Sequence, residues 1–263
     1  MEHAFDFDRI AAFVEKRRKT SGGYGATPRL PATIQDTFQA VAILDDLAGL
    51  GGTPPHRTDL DRNLADFVVH KLALPWLGIL TTFQLLSLGH RLGLAADGER
   101  IHRRFASAPT AEEPLTTAWC AVRIAREILD LPPHRLLPEP SVELPEYPTL
   151  TDAARYVFVR AALDLPLAVP VLTDWIRRSQ NGDGGFGFYP GTTSFIENCH
   201  GALAALALLG AEPTDPGGLF RFLLSCQTGA GGFSRNPAAA PFLDATWHAV
   251  RCLALLHSPP RRA

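Results

Sequence analysis

Apolar residues along the chain recur at intervals of three and four positions rather than at every second position. This spacing predicts amphipathic α-helices and gives little indication of strands. Five of the predicted helical segments carry charges on their polar face: FDRIAAFVEKRRK, LDRNLADFVVHKLAL, ERIHRRFAS, VPVLTDWIRRSQ and GLFRFLLSCQ. Other segments are nearly free of charge, and they begin near Thr37, Thr82, Thr117, Cys199 and Thr246. We therefore expect charged outer helices to be paired with sheltered inner helices.

A short frame recurs before the uncharged segments: two glycines, an aromatic residue, and then an apolar helix. Its clearest copies span residues 21–49, 179–210 and 226–257. Thirteen residues after the first glycine of the pair, these copies place Gln35, Glu197 and Asp244 in turn. Weaker copies of the helix start occur near Leu80, Leu115 and Thr151, so that six units at steps of about 35 to 47 residues fill the chain.

The six units predict a single all-α domain over residues 1–263. An open stack of helix pairs needs polar caps at both ends, whereas the first and last units here are as apolar as the middle ones. We therefore expect an (α/α)6 toroid closed around a central cavity. One connecting region, PPHRLLPEPSVELPEYP, is too rich in proline to form a long helix.

Composition limits the classes of function. The net charge is −2 with charged residues scattered along the chain, which gives no basic face for nucleic acid. The N-terminus, MEHAFDFDRIAAFVEKRRK, lacks the apolar run of a secretory signal, and no uncharged stretch of about 18 apolar residues occurs. We expect a cytoplasmic protein without a transmembrane segment. The cysteines lack a CxxC pair, which favours reduced thiols in a helical core, and they are Cys120, Cys199, Cys226 and Cys252.

The glycine turn followed by helix starts such as DTFQAV, TAWCAV and ATWHAV resembles the repeat of the prenyltransferase and squalene-cyclase superfamily. The resemblance covers essentially the whole chain and implies a toroid that handles isoprenoids in an aromatic-lined cavity. It also implies one of two chemistries. Protein prenyltransferase β subunits hold zinc with an Asp-x-Cys pair and a distant His. Class II terpene cyclases use an Asp-x-Asp-Asp motif as a strong acid.

The zinc chemistry finds candidate ligands in Glu197, Cys199 and His248. However, the family's ligand positions fall on Phe195, Glu197 and Ala245 in this sequence, so the register argues against the metal. We expect no cofactor, and zinc with an α-subunit partner stays as an alternative. Cys199 also aligns with the threonines that begin the other uncharged segments, which is the pattern of a small helix-start residue.

The acid chemistry is also incomplete, because the family's three acids align on Thr33, Gln35 and Asp36, and glutamine is no useful proton donor. The position of Gln35 is acidic in two other repeats, at Glu197 and Asp244. Each of these carboxylates either caps its own helix or faces the cavity. We take Glu197, Asp244 and Asp36 as candidate catalytic residues, with Asp36 positioning Gln35.

Side chains near the inner helix starts are the candidates for substrate binding. Aromatic faces suit carbocation chemistry, although core packing explains them equally well. The candidate substrate-binding residues are Gln35, Phe38, Phe83, Trp119, Cys199, His200, Trp247 and His248. The acidic pair in LDDL, Asp45 and Asp46, lies late in an inner segment, where we expect a solvated helix end.

The sequence therefore predicts an isoprenoid-handling enzyme that is cyclase-like or prenyltransferase-like. Its expected partner is an apolar small molecule bound in the central cavity. Two alternatives remain at this point: a prenyltransferase β-like subunit with zinc at Glu197, Cys199 and His248, and a non-catalytic toroid that binds a lipid or a protein.

Overall fold

The computed structural model describes residues 5–52, 60–75, 78–106, 113–137 and 142–257. Within these ranges the chain forms eleven α-helices joined by turns and isolated backbone bridges. The helices are α1 (Phe7–Glu15), α2 (Ile34–Gly49), α3 (Leu60–Ala73), α4 (Ile79–Arg91), α5 (Gly98–Ala106), α6 (Pro114–Arg123), α7 (Leu150–Ala162), α8 (Val169–Arg178), α9 (Ile196–Leu208), α10 (Pro216–Cys226) and α11 (Leu243–His257). The all-α prediction is confirmed.

Six of the helices form an inner ring. These are the five nearly uncharged segments α2, α4, α6, α9 and α11, together with α7, which carries Asp152, Arg155 and Arg160. In the order α2, α4, α6, α7, α9 and α11, each packs against the next. The last of them, α11, also packs against α2, so the inner layer closes on itself. The six-unit α/α toroid predicted from the repeats is confirmed. Helices α1, α3, α5, α8 and α10 form the outer layer.

The inner helices run parallel to one another. Near the start of the helices, Gln39 of α2 donates a hydrogen bond to Asp244 of α11 across 2.6 Å. Near their ends, Asp46 of α2 pairs with Arg251 of α11 at 3.0 Å. Residues near the starts of the other neighbouring helices also meet, in the pairs Phe38–Phe83, Phe83–Trp119, Thr116–Arg155, Leu150–Gly201 and His200–His248. The N-terminal ends of all six inner helices therefore lie on one face of the toroid. We call this face the mouth.

The outer layer is interrupted between α6 and α7. A π-helical turn, Ile124–Ile128, extends α6, and a short 3-10 turn, Pro133–Arg135, follows it. Leu136 and Val142 of the connecting segment are buried at 6% and 4% exposure, and each belongs to an apolar cluster that includes residues of α6. The proline-rich region was expected not to form a long helix, and in its described part it does not. Residues 138–141 of this region lie outside the described ranges.

Glycine turns join the two layers. Gly184 has φ +86°, and a Cβ placed on it would lie 2.1 Å from the backbone carbon of Gly218 in α10. Gly231 repeats this arrangement against Arg9 of α1, whose backbone oxygen would lie 2.3 Å from the added Cβ. Glycine is needed at both positions, because the conformation is left-handed and the neighbouring backbone leaves no room for a side chain. The last turn therefore packs on the first helix and helps to close the outer layer.

The thirteen-residue spacing of the repeat has a direct structural cause. In all three copies, the backbone N–H of the turn aromatic donates to a side chain in the first turn of the following inner helix. The pairs are Tyr24 to Thr37 Oγ1 (3.0 Å), Phe186 to Cys199 Sγ (3.4 Å) and Phe233 to Thr246 Oγ1 (3.0 Å). The bond satisfies a buried amide and fixes where the inner helix begins.

Candidate functional site

Aromatic side chains from five inner helices form a continuous arc inside the ring near the mouth. Neighbouring ring centroids lie between 5.0 and 6.3 Å apart. The members, in order from α6 through α4, α2 and α11 to α9, are Trp119, Phe83, Phe38, Trp247 and His200. Phe83 is buried at 1% exposure, whereas the other four are partly exposed although they lie inside the ring. The aromatic arc therefore borders an opening, and it brings together five of the predicted binding residues.

Two arginines complete the site on the side of α6 and α7. The guanidinium carbon of Arg123 lies 4.7 Å from the ring centroid of Phe83 and 5.0 Å from that of Trp119. Arg155 of α7 approaches Trp119 at 5.6 Å. Neither residue was predicted from the sequence. For Arg123 the signal was an arginine within a segment otherwise nearly free of charge, since a sheltered arginine needs a partner.

At its other end the aromatic arc meets a pair of histidines. Nδ1 of His200 lies 2.9 Å from Nδ1 of His248, so one nitrogen donates a hydrogen bond and the other accepts it. Burial, assisted by the neighbouring imidazole of His248, holds the pKa of His200 well below its usual range. Burial also lowers the pKa of His248, against the opposing pull of Asp244 and Glu197. Both shifts favour the neutral rings near pH 7, so each imidazole keeps one unprotonated nitrogen.

Both carboxylates predicted at the helix starts lie beside the histidine pair. Oδ1 of Asp244 accepts the hydrogen bond from Gln39 and lies 3.8 Å from Nε2 of His248. Glu197 Oε1 accepts a 2.9 Å hydrogen bond from Nε of Arg235, whose pKa rises chiefly because of this bond. The hydrogen-bond donors to both carboxylates, Gln39 and Arg235, come from other segments of the chain rather than from the carboxylates' own helices. They thus belong to the mouth as a charged cluster.

Asp36 has a local structural role at the start of α2. Its Oδ2 accepts a 2.7 Å hydrogen bond from the hydroxyl of Thr33, and the same hydroxyl accepts from the backbone N–H of Asp36 at 3.0 Å. Such a reciprocal pair stabilises a helix N-terminus. Gln35 is exposed on the mouth, and the carboxylate of Asp36 is bonded to Thr33. The predicted catalytic role of Asp36 stays a prediction.

Cys199 lies against its glycine turn. The thiol has no exposed surface, its Sγ accepts the hydrogen bond from the N–H of Phe186, and burial raises its pKa. Thr37 and Thr246 accept the same bond in their own repeats, so Cys199 stands where threonine stands elsewhere. A neutral thiol in this position is a structural acceptor, and it is a poor metal ligand because zinc binds the thiolate.

The three residues considered for zinc have different partners. Glu197 forms an ion pair with Arg235, His248 shares a hydrogen bond with His200, and Cys199 accepts the hydrogen bond from the glycine turn. In the described part of the chain, no three side chains of His, Cys, Asp or Glu converge as ligands of a metal ion. The side chains of this site do not fit the zinc ion of the prenyltransferase β subunits.

The acidic pair late in α2 is not a solvated helix end, and the expectation for LDDL was wrong. Asp46 accepts hydrogen bonds from Nη1 of Arg251 at 3.0 and 3.1 Å, and its side chain is only 17% exposed. Asp45 forms an ion pair with Arg91 of α4. Burial raises the pKa of Asp46. The pair was misread because its partners lie on α4 and α11, which are distant in sequence but adjacent in the ring.

The closed ring of parallel inner helices, with an aromatic interior and a polar mouth, defines an α/α toroid. A family model described as the prenyltransferase alpha-alpha toroid domain matches residues 1–74, 154–234 and 202–262. These segments cover more than half of the chain, and the chain therefore belongs to this family. A search of curated proteins found no match. Among the described helices, none is long and apolar enough to cross a membrane.

Proposed function

We propose that the protein binds an isoprenoid, or a similarly apolar chain, inside the ring and acts on it as a cyclase-like or prenyltransferase-like enzyme. The observation that carries the proposal is the aromatic arc from Trp119 to His200, which ends at a neutral histidine pair beside two carboxylates. Aromatic faces bind apolar chains and attract positive charge that develops on them. Membership of the toroid family supports the same class of ligand.

The carboxylates Glu197 and Asp244 and the histidine pair at the mouth have different roles in the proposed reaction. The bonds from Arg235 and Gln39 hold the side chains of Glu197 and Asp244 in place, which suits them to stabilise positive charge. The neutral histidine pair is the base of this cluster. Asp244, whose Oδ1 lies 3.8 Å from Nε2 of His248, stabilises the imidazolium that forms when this ring takes up a proton.

The non-catalytic alternative draws support from one observation. Gln35 stands where the related cyclases place their proton-donating acid, so the toroid could retain the binding site without the chemistry. Product formation separates the two functions, because a binding protein returns its isoprenoid unchanged.

The test of the enzymatic roles is a double amide variant, Glu197→Gln with Asp244→Asn. Purified protein is incubated with a panel of prenyl hydrocarbons, alcohols and diphosphates, and products are identified by mass spectrometry. We expect kcat on the substrate so found to fall roughly 100-fold or more, because charge stabilisation contributes on this scale. The matched control is Glu99→Gln with Asp174→Asn, two exposed carboxylates on outer helices. Unchanged turnover in the first variant would remove both residues from the mechanism.

The test of the binding site is Phe38→Ala, which removes the central ring of the aromatic arc. We expect weaker binding of the isoprenoid, measured by displacement of a fluorescent prenyl analogue. Phe220→Ala is the control, because Phe220 packs against Phe5 in the outer layer. Equal effects of the two substitutions would show that the arc does not contact the ligand.

A further inference from the structure

The mouth is ringed by carboxylates. Five of the six inner helices carry an acidic residue at the N-cap or in the first turn. These residues are Asp36 on α2, Glu113 on α6, Asp152 on α7, Glu197 on α9 and Asp244 on α11. The same first turns, all of which lie in the described ranges, contain no lysine or arginine.

These carboxylates occupy the places where an anionic ligand would bind. Free N–H groups and the helix dipole make a helix N-terminus attractive to phosphate. Here Glu113 accepts from the N–H groups of Leu115 and Thr116 at 2.9 and 2.6 Å. Asp152 likewise accepts from the N–H of Thr149 at 2.8 Å. A phosphate group approaching these helices would meet the protein's own negative charges.

The arginines around the interior do not outweigh the negative charge of the mouth, because each of those named here forms an ion pair with a carboxylate. The ion pairs are Arg91 with Asp45, Arg123 with Glu127, Arg155 with Asp152, Arg235 with Glu197 and Arg251 with Asp46. Asp36 and Asp244 are bonded instead to neutral groups, the hydroxyl of Thr33 and the amide of Gln39. The histidine pair is neutral as well. The site therefore carries an excess of negative charge.

The interior also holds a hydrogen-bond donor without an acceptor. Nε1 of Trp247 is buried and has no hydrogen-bond partner within the described structure. Its ring lies in the aromatic arc, 5.2 Å from the ring of His200 and 6.3 Å from that of Phe38. A buried N–H without a partner costs free energy that a ligand oxygen can recover. Because the surroundings are acidic, a neutral oxygen suits this place better than a charged one.

We infer that the site takes an uncharged isoprenoid with a neutral oxygen, such as a prenyl alcohol or aldehyde, and disfavours prenyl diphosphates. The inference rests on the proposed function, since it concerns the ligand of the same interior. It assigns the polar end of the ligand to the region of Trp247 and the histidine pair, and its apolar chain to the rest of the arc.

The experiment compares two ligands that share one chain, farnesol and farnesyl diphosphate, by calorimetric titration of the full-length protein at low ionic strength. We expect farnesol to bind at least about tenfold more tightly, because like charges brought together at a binding site oppose association. The double variant Asp36→Asn with Asp244→Asn should narrow this ratio by improving diphosphate binding. Added salt should also bring the two affinities closer together in the native protein, since ions screen the repulsion between the diphosphate and the carboxylates of the mouth.

Asp174→Asn is the matched control, because this exposed carboxylate on α8 pairs with Arg178 away from the mouth. It should leave the ratio unchanged. Equal or tighter binding of farnesyl diphosphate would overturn the inference and leave the proposed isoprenoid site intact. So would a ratio of the two affinities that changes neither in the double variant Asp36→Asn with Asp244→Asn nor with added salt. Binding of neither ligand would overturn the proposed function and this inference together.

Discussion

The close approach of the glycine turn to the next outer helix can be tested by a pair of glycine substitutions. Gly184 and Gly191 both have left-handed backbones, with φ of +86° and +82°. They differ in their surroundings. A Cβ on Gly184 would lie 2.1 Å from the backbone of Gly218, whereas a Cβ on Gly191 would meet nothing within 4 Å. Gly191→Ala therefore measures the backbone conformation alone, and Gly184→Ala adds the packing against α10.

The expected magnitudes follow from these two terms. A Cβ in the left-handed region costs about 1–2 kcal/mol, which is the whole effect expected for Gly191→Ala. Forcing extra atoms into a packed contact adds about 1–3 kcal/mol, because backbone rather than a flexible side chain must move. Gly184→Ala should thus cost about 2–5 kcal/mol. A loss of this size is a large part of the stability of a typical domain.

The assay is urea unfolding followed by circular dichroism, with both variants and the native protein measured together. The informative quantity is the difference between the two losses of unfolding free energy. A difference near zero would contradict the reasoning, because it would mean that the turn does not pack on α10 as closely as the structure has it. A larger loss for Gly191→Ala would contradict it more strongly.

Three further predictions concern the site and the ring. Cys199→Ala should cost about 1–3 kcal/mol in unfolding free energy because it leaves a buried N–H without an acceptor, while Cys199→Thr should be tolerated better; urea unfolding compares the two variants. His200 and His248 have lowered pKa values, so the unfolded chain binds more protons than the native protein as the pH falls below the ordinary histidine pKa of about 6.5. The free energy of unfolding should therefore decrease from pH 7.5 to pH 5, because the unfolded chain takes up protons that the native histidines do not. Urea unfolding at several pH values measures this decrease, which should be smaller in the double variant His200→Asn with His248→Asn. Asp46→Asn should destabilise the protein by about 1–3 kcal/mol, less in high salt, because it leaves the half-exposed Arg251 without its charged partner; thermal unfolding at two salt concentrations measures it.

The fold was predictable because each clear copy of the repeat is defined by residues that are close together in the sequence. The glycine turn, its aromatic residue and the helix start thirteen residues later are joined by one short-range bond, as between Phe233 and Thr246. The same constraint therefore leaves the same spacing in each clear copy. Ring closure followed from the apolar character of the end units. The interrupted outer layer was predicted only as an absence of helix. Proline indicates where a helix stops, but it does not indicate that Leu136 and Val142 of the connecting segment are buried.

The sequence indicated most side chains that the structure brings together at the candidate site, but it did not indicate their contacts. The aromatic arc joins side chains from helices that are far apart in sequence, and no local pattern specifies which helix follows which around the ring. Arg123 and Arg155 were missed for that reason, because their aromatic neighbour Trp119 explains them only once α6 and α7 are adjacent. The partners of Asp46 and Glu197 also come from other segments that are adjacent only in the folded chain. The sequence alone therefore did not show with which residues these carboxylates pair.

The repeats also separate structural positions from site positions within this one chain. The position that receives the turn's N–H is Thr37, Cys199 or Thr246, all small side chains with a lone pair, because every copy must satisfy the same amide. The next residue along is Phe38, His200 or Trp247, and these differ because each faces a different part of one shared interior. A position that serves each repeat separately stays alike among repeats. A position that contributes to the ring as a whole is free to differ among repeats, and these differences coincide with the candidate site on the inward side of the helix starts.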